Sequence, residues 1–210
     1  MDTLDYKEPI TKIYFVRHGQ TKANKLQLLF GHLDWDLTKE GIKQANNSAI
    51  RLAKITRKER IDYIISSPLK RAEHTAKIIA KKLNIKKILR DKNLMEKSEG
   101  LWEGKSFWEV RKKDLKNYYK WLKNPFKIKP PKGESVMGLN KRVEKFYKTV
   151  SKKYTGKNII VVTHSGPIRL FILNLLKATI DKFWYLKVEC GSITEIHLSK
   201  RHSMVWSMNK

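Results

Sequence analysis

Apolar residues alternate and then run together over "KIYFV", residues 12–16, and stop at Arg17, His18 and Gly19. A short run of this kind bounded by glycine predicts a strand buried on both faces. "LTKEGIKQANNSAIRLAKI" follows and predicts a helix capped by Thr38, with Ile42, Ala45, Ala49, Leu52 and Ala53 on one face and Gly41 weakening its first turn. The sequence then repeats the alternation. "IDYIISS" predicts a strand, Pro68 opens a helix at its first turn, and Leu69, Ala72, Ala76, Ile79, Ala80 and Leu83 form its apolar stripe.

Further along, the helical pattern "SVMGLNKRVEKFYKTVSKKY" precedes the strand "KNIIVVTH", and "PIRLFILNLL" is helical again. "SITEIHLSK" and "SMVWSMN" predict two antiparallel strands joined by "KRH", with Thr194 and Glu195 toward the exposed side of the first. Strands alternating with helices predict an α/β fold: a three-layer α/β/α sandwich whose central sheet is mostly parallel, with helices on both faces. Residues 97–134 are less regular. There "SFWEVRKKDLKNYYKWL" predicts one amphipathic helix, followed by the basic, proline-rich loop "KNPFKIKPPKG", so this region is expected to be an inserted lid.

Composition narrows the picture modestly. The 210 residues are most simply a single domain over 1–210, and 40% apolar content with six tryptophans excludes a disordered chain. Forty-six Lys and Arg against 20 Asp and Glu give a net charge of +26, which attracts anions in general. The lysines are spread along the chain, so the charge alone names no partner. The lone Cys190 excludes an intrachain disulfide and a cysteine zinc cluster. No apolar run reaches membrane-spanning length, and "MDTLDYKEPI" lacks the pattern of a secretion signal, so a cytoplasmic protein is expected.

Chemistry concentrates where strands end. In an open α/β sheet, ligands bind beyond the carboxyl ends of the strands. Here "IYFV" ends in Arg17-His18-Gly19, "YIISS" in Ser67-Pro68 with Arg71 soon after, and "IIVVT" in His164-Ser165-Gly166. Each residue alone fits a turn, a core position or a solvated helix, but two histidines and two arginines at one edge point to a site. Arginines disfavour a dication, and no carboxylate pair flanks either histidine. A phosphoryl group fits better: guanidinium forks bind its oxygens, and cationic neighbours keep imidazole neutral and nucleophilic.

"VRHGQTKAN" resembles the Arg-His-Gly signature of the histidine phosphatase superfamily, the phosphoglycerate-mutase-like proteins. The resemblance continues, in the family's order, through "GHLDWDLTKEG", "SSPLKRAEHTA", "LMEKSEGLWEG", "GES" and "VVTHSGPIR", over about residues 12–198. It implies a phosphoglycerate-mutase-like fold in which His18 becomes a transient phosphohistidine, while Arg17, Arg71 and His164 form the phosphate pocket. Asn24 adds a hydrogen bond, with Gln20, Thr21, Gly31 and Ser165 as lesser contacts. Glu96 supplies the proton for the leaving group, with Glu99 and Glu103 as rival carboxylates, and neither metal nor cofactor is implied. Two departures concern the substrate pocket: Phe30 stands where many relatives have a polar residue, and "KSE" replaces a more neutral stretch before Gly100.

The segment after Glu96 resembles the phosphatase branch and lacks the paired arginines of the mutases. The expected activity is hydrolysis of a small phosphorylated metabolite. The alternatives are a 2,3-bisphosphoglycerate-dependent phosphoglycerate mutase and, from another class, a polyanion- or nucleic-acid-binding protein using its basic surface. With the catalytic pattern complete, neither a nucleic acid nor a membrane is the expected partner, and the chain is expected to be a monomer or homodimer.

Overall fold

The computed structural model describes residues 8–210; the sequence start expected to lack a secretion signal lies largely outside them. In chain order the elements are β1 (Thr11–Arg17), α1 (Lys22–Lys25), α2 (Lys39–Ile55), β2 (Tyr63–Ser66), α3 (Lys70–Lys82), β3 (Ile88–Arg90), α4 (Phe107–Lys113) and α5 (Leu115–Lys123). They continue with α6 (Val136–Lys153), β4 (Asn158–Thr163), α7 (Ser165–Leu175), β5 (Ile193–Leu198) and β6 (Met204–Ser207). The strands form one sheet in the order β3-β2-β4-β1-β5-β6. Its first four strands are parallel, and β5 and β6 add an antiparallel edge, as the pattern predicts.

Alternate side chains of β1 explain its unbroken apolar run. Ile13 and Phe15 join the core beneath α6 and α7, whereas Tyr14 and Val16 join the core beneath α2 and α3. Both faces of the strand are covered, so no position is left for a polar residue. The result is the expected three-layer sandwich.

Local details differ from the sequence expectations in several places. The buried face of α2 is Gly41, Ala45, Ser48, Ala49 and Leu52, while Ile42 is exposed. The helix is rotated because Gly41 meets the loop after β1. A Cβ on Gly41 would stand 2.1 Å from the Gln20 carbonyl oxygen, and one on Gly19 would stand 2.2 Å from the Gly41 carbonyl oxygen. Helix α3 starts at Lys70 rather than at Pro68, and its first N–H groups are served from outside: Asp34 accepts the Lys70 N–H at 2.9 Å. Thr194 and Glu195 are buried, not exposed; Glu195 accepts from His197 at 2.9 Å.

The single helix expected over residues 106–122 is two helices broken at Asp114. Asp114 takes the Trp102 indole N–H at 2.8 Å and the Asn117 amide at 2.8 Å, which fixes it outside helical geometry. Ser106 and Glu109 start α4 with a reciprocal capping box. Among the described residues no helix is long and apolar enough to cross a membrane.

Helix propensity by itself assigns Gly41→Ala a gain of about 1 kcal/mol. The packing against Gln20 predicts the opposite, a loss of roughly 1–3 kcal/mol from overpacking, measurable by denaturant unfolding. A Gly41→Ala variant as stable as the parent would contradict the close approach.

Candidate active site

The strand ends meet because three parallel strands finish in step. Arg17 on β1 is paired with Thr163 on β4, and Ser66 on β2 with Val162. The His18 N–H then bonds to the Thr163 carbonyl at 3.0 Å, and the Ser67 N–H to the Val162 carbonyl at 2.9 Å. This register sets the His18 and His164 rings edge to face, their centroids 5.0 Å apart. Both rings are buried, as is the whole of Arg71, which a lysine-rich helix would ordinarily have left to solvent.

Each imidazole is held in a definite orientation. His18 Nδ1 lies 2.7 Å from its neighbour's carbonyl, that of Gly19. A carbonyl only accepts, so Nδ1 carries the proton and Nε2 keeps its lone pair. The Gly19 N–H is directed to Thr75 Oγ1 at 3.2 Å, and Thr75 is tied at 2.9 Å to the Arg71 carbonyl, so the loop and α3 are fixed together. His164 Nε2 lies 2.8 Å from Ser67 Oγ, which also accepts the Leu69 N–H at 3.3 Å. When Ser67 donates its proton to Nε2, both contacts are satisfied and His164 Nδ1–H is left as a buried donor without a partner.

The guanidiniums are braced by carbonyls rather than neutralised by carboxylates. Arg71 donates to the Gly31 carbonyl at 2.7 Å and the Leu33 carbonyl at 3.3 Å, and its nearest acidic group among the described residues, on Asp34, is 3.9 Å away. Arg17 donates to the Val188 carbonyl at 2.6 Å. The Nε atoms of both arginines are buried and unpartnered. Burial lowers the Arg71 pKa to about 10, partly opposed by Glu96, Asp34 and Glu103, so it stays charged near neutrality. Burial first, and then Arg71 and Arg17, hold both His18 and His164 well below the ordinary 6.5. The result is a neutral imidazole with a free Nε2 beside two fixed cations and a buried, unpartnered His164 Nδ1, an arrangement a phosphoryl dianion would complete.

Of the three candidate glutamates after β3, the structure brings Glu96 to this edge. Its Oε2 accepts from Ser165 Oγ at 3.3 Å and the Gly166 N–H at 3.2 Å, at the start of α7 directly after His164. Its backbone carbonyl is clamped by Arg142 and by His32 Nε2 at 2.8 Å. Glu99 is paired with Lys97 at 2.6 Å, and burial raises its pKa. Glu103 organises the loop, with Oε1 accepting from the N–H groups of His32 and Glu99.

The lesser candidates divide by how far their atoms are already engaged. Gly31 serves the site through its carbonyl, and Ser165 through Glu96. Asn24 Oδ1 and the Thr21 hydroxyl form the capping box of α1, leaving the Asn24 amide donor available, and the Gln20 side chain accepts from Thr38 at 3.0 Å. Gln20 and Thr21 therefore shape the loop with their side chains. Phe30 lies beneath the Arg71 guanidinium, 4.7 Å from carbon to ring centroid, and edge-on to His18. Ser67, Thr75, Asp34 and His32 support the site but were missed as site residues. Only Ser67 carried a signal, its place at a strand end.

The model of the histidine phosphatase superfamily (branch 1) matches residues 13–210. The chain belongs to this family. It is 32% identical to phosphoserine phosphatase 1 of Hydrogenobacter thermophilus over 95% of this chain and 92% of that protein. The solved α-ribazole phosphatase of Shigella flexneri superposes with a TM-score of 0.87 at 28% identity, covering 95% of this chain and 96% of that one. A phosphoserine phosphatase mutant from Entamoeba histolytica, solved with phosphoserine, superposes at 0.80 with 29% identity over 95% and 97% of the two chains.

The buried histidines have a measurable consequence for this family member. Folded, both stay neutral; unfolded, they protonate near 6.5. Below that pH the unfolded state binds more protons, so the stability gained by keeping them neutral is complete above 6.5 and declines as pH falls. Denaturant unfolding from about pH 7 to 5.5 is expected to show a slope approaching about 1.4 kcal/mol per pH unit for each histidine. His18→Ala should reduce that slope, and a flat profile would contradict the buried neutral pair.

Proposed function

We propose that this chain is a metal-independent phosphomonoester hydrolase acting on a small phosphorylated metabolite through a phosphohistidine on His18. His18 Nε2 attacks phosphorus in line, and the bond from phosphorus to the ester oxygen breaks as Glu96 donates its proton to the departing alkoxide. Water then attacks the phosphohistidine, Glu96 takes the water's proton, and the phosphorus–nitrogen bond breaks to release inorganic phosphate. Arg17, Arg71 and the His164 Nδ1–H hold the equatorial oxygens, where charge gathers in the transition state. The Asn24 amide is a further donor.

The observation that carries this reading is the pair of buried, unpartnered guanidinium donors on Arg17 and Arg71, with the unpartnered His164 Nδ1 beside them, around an imidazole whose Nε2 is unprotonated. Such groups are unfavourable without an anion and favourable with one. The named relatives are phosphatases, and the segment after Glu96 contains Arg111 but no pair of arginines. Hydrolysis is therefore favoured over return of the phosphoryl group to a second hydroxyl. Within a single domain, residues 97–134 serve as the cover of the site, with α4 and α5 packed around Trp102 and Leu29. A cytoplasmic setting belongs to the same proposal, because small phosphorylated metabolites are charged and do not cross membranes unaided.

Turnover of phenyl phosphate should survive chelator, and His18→Ala should reduce it by at least about 10³-fold; a variant that turns over normally would remove His18 as nucleophile. Glu96→Gln should slow alkyl phosphates by roughly 10²–10⁴-fold while affecting aryl phosphates far less, because phenoxide needs little protonation to leave. Equal losses on both classes would remove Glu96 as the proton donor.

A further inference from the structure

Helices α4 and α5 pack their inner sides onto the small core of Leu29, Trp102 and Val110, with Tyr118 and Trp121 against it. Those inner sides belong to the active-site edge, because Phe107 and Trp121 also line a cavity of about 350 Å³ beside Glu96. The outer sides are apolar too, which a solvated surface does not require. On α5, Leu115, Tyr119 and Leu122 are 52%, 49% and 46% exposed. At positions i, i+4 and i+7 they form one stripe about 60° wide. On α4, Trp108 lies two residues before the buried Val110 and hence on the opposite side of the helix; at 68% it is the most exposed of the six tryptophans.

Charge is arranged around this stripe. Lys116, Lys120 and Lys123 are exposed and occupy the adjoining side of α5, on the flank away from Tyr118 and Trp121. The Arg111 guanidinium carbon lies 5.9 Å from the centroid of the Trp108 ring. Residues 105–132 hold ten Lys and Arg but two acidic residues. Both acids are committed within the fold: Glu109 caps α4 through Ser106, and Asp114 accepts from the Trp102 indole and from Asn117. An exposed apolar stripe with cations along one flank suits a helix lying in a lipid interface. The apolar side chains enter the acyl boundary, and the lysine stems run beside them and carry the ammonium groups back to the head groups.

We propose that the outer side of α4 and α5 docks on the surface of an anionic lipid bilayer, with Trp108, Leu115, Tyr119 and Leu122 inserted and Lys116, Lys120 and Lys123 on the acidic head groups. Two other occupants fit less well. A second copy of this chain, seated through the same face, sets one lysine stripe against another and gains repulsion. Nucleic acid engages the lysines and stacks on Trp108 and Tyr119, but it gives Leu115 and Leu122, in the same stripe, nothing to bury against. Interfacial docking needs no spanning helix, and among the described residues there is none. It departs from the sequence expectation, in which the complete catalytic pattern left no membrane partner to look for. It goes beyond the hydrolase reading and does not depend on it.

The test is cosedimentation of the purified full-length protein with vesicles of phosphatidylcholine, alone or with about one-third phosphatidylglycerol, at about 0.1 M salt. Binding should be at least about 10-fold tighter to the anionic vesicles. Brominated acyl chains should quench a part of the tryptophan fluorescence that Trp108→Phe removes. Leu115→Ser combined with Leu122→Ser, and separately Lys116→Gln combined with Lys120→Gln and Lys123→Gln, should each weaken binding roughly 10- to 100-fold. Lys77→Gln, Lys81→Gln and Lys82→Gln together remove the same charge from exposed positions on α3 and should weaken it less than about 3-fold. Thermal unfolding checks that every variant is folded. Equal losses in the two lysine variants, or binding without quenching through Trp108, would reduce the effect to general attraction by a chain of net charge +26 and overturn the proposal. No binding to anionic vesicles would overturn it as well, as would tighter binding to a single-stranded oligonucleotide or self-association that the Leu115 and Leu122 substitutions abolish. None of these outcomes bears on the hydrolase reading.

Discussion

The arrangement of the site depends on the register between β1 and β4. Because Arg17 is paired with Thr163, the two residues that follow, His18 and His164, leave the sheet side by side. A slip of one residue would reverse which side chains face which core and would separate the imidazoles. The register is enforced by apolar packing on both faces of the strand, with Ile13 and Phe15 on one side and Tyr14 and Val16 on the other. The close approach of Gly19 and Gly41 then lets α2 close against the loop that carries His18. Core packing thus sets the geometry of groups that contribute little to the core.

Those groups are held against their own electrostatic preference. Two guanidiniums and two imidazoles share a buried edge, and among the described residues no carboxylate lies within hydrogen-bond distance of either guanidinium; carbonyls of Gly31, Leu33 and Val188 provide the bracing. Carbonyl dipoles orient a cation without neutralising it, so the positive field stays directed at the ligand. The same field and burial keep both histidines neutral. Stability and function pull in opposite directions here, as is common where a site is prepared for a charge that arrives with the substrate.

Residues 97–134 pack against this edge and line the cavity beside Glu96. Arg142 grips the carbonyls around Glu96, and Glu103 gathers the turn between Lys97 and Gly100, so the proposed proton donor sits on a braced loop. The break at Asp114 has the same purpose. By accepting the Trp102 indole N–H it ties α4 and α5 back onto the loop that follows Glu96. Trp102 is buried and packs edge-on with Trp121, which lines the cavity beside Glu96. The 97–134 region and the loop that carries Glu96 are one packed unit.

Much of this was legible in the residue pattern. The alternation of strand and helix determined the layered α/β class, and the polar residues directly after apolar runs marked Arg17, His18, Arg71 and His164, because a strand that leaves a two-sided core must change composition where it ends. Local chemistry also determined the cap at Thr38. What the sequence left open depends on contacts between distant segments. The rotation of α2 comes from Gln20, the start of α3 from Asp34, the break in the 106–122 helix from Trp102, and the burial of Glu195 from its neighbours in the sheet. Glu96, Glu99 and Glu103 are equivalent carboxylates on paper; their surroundings separate them, one at the start of α7, one on Lys97 and one in a turn. Arg169 likewise reads as an ordinary helical arginine until the fold sets it against Phe183 with its Nε buried and unpartnered. Periodicity and residue type record which groups are present and which face the core, because those are local properties of the chain. Which donors find partners, and which are left for a ligand, is settled only when the whole chain is packed.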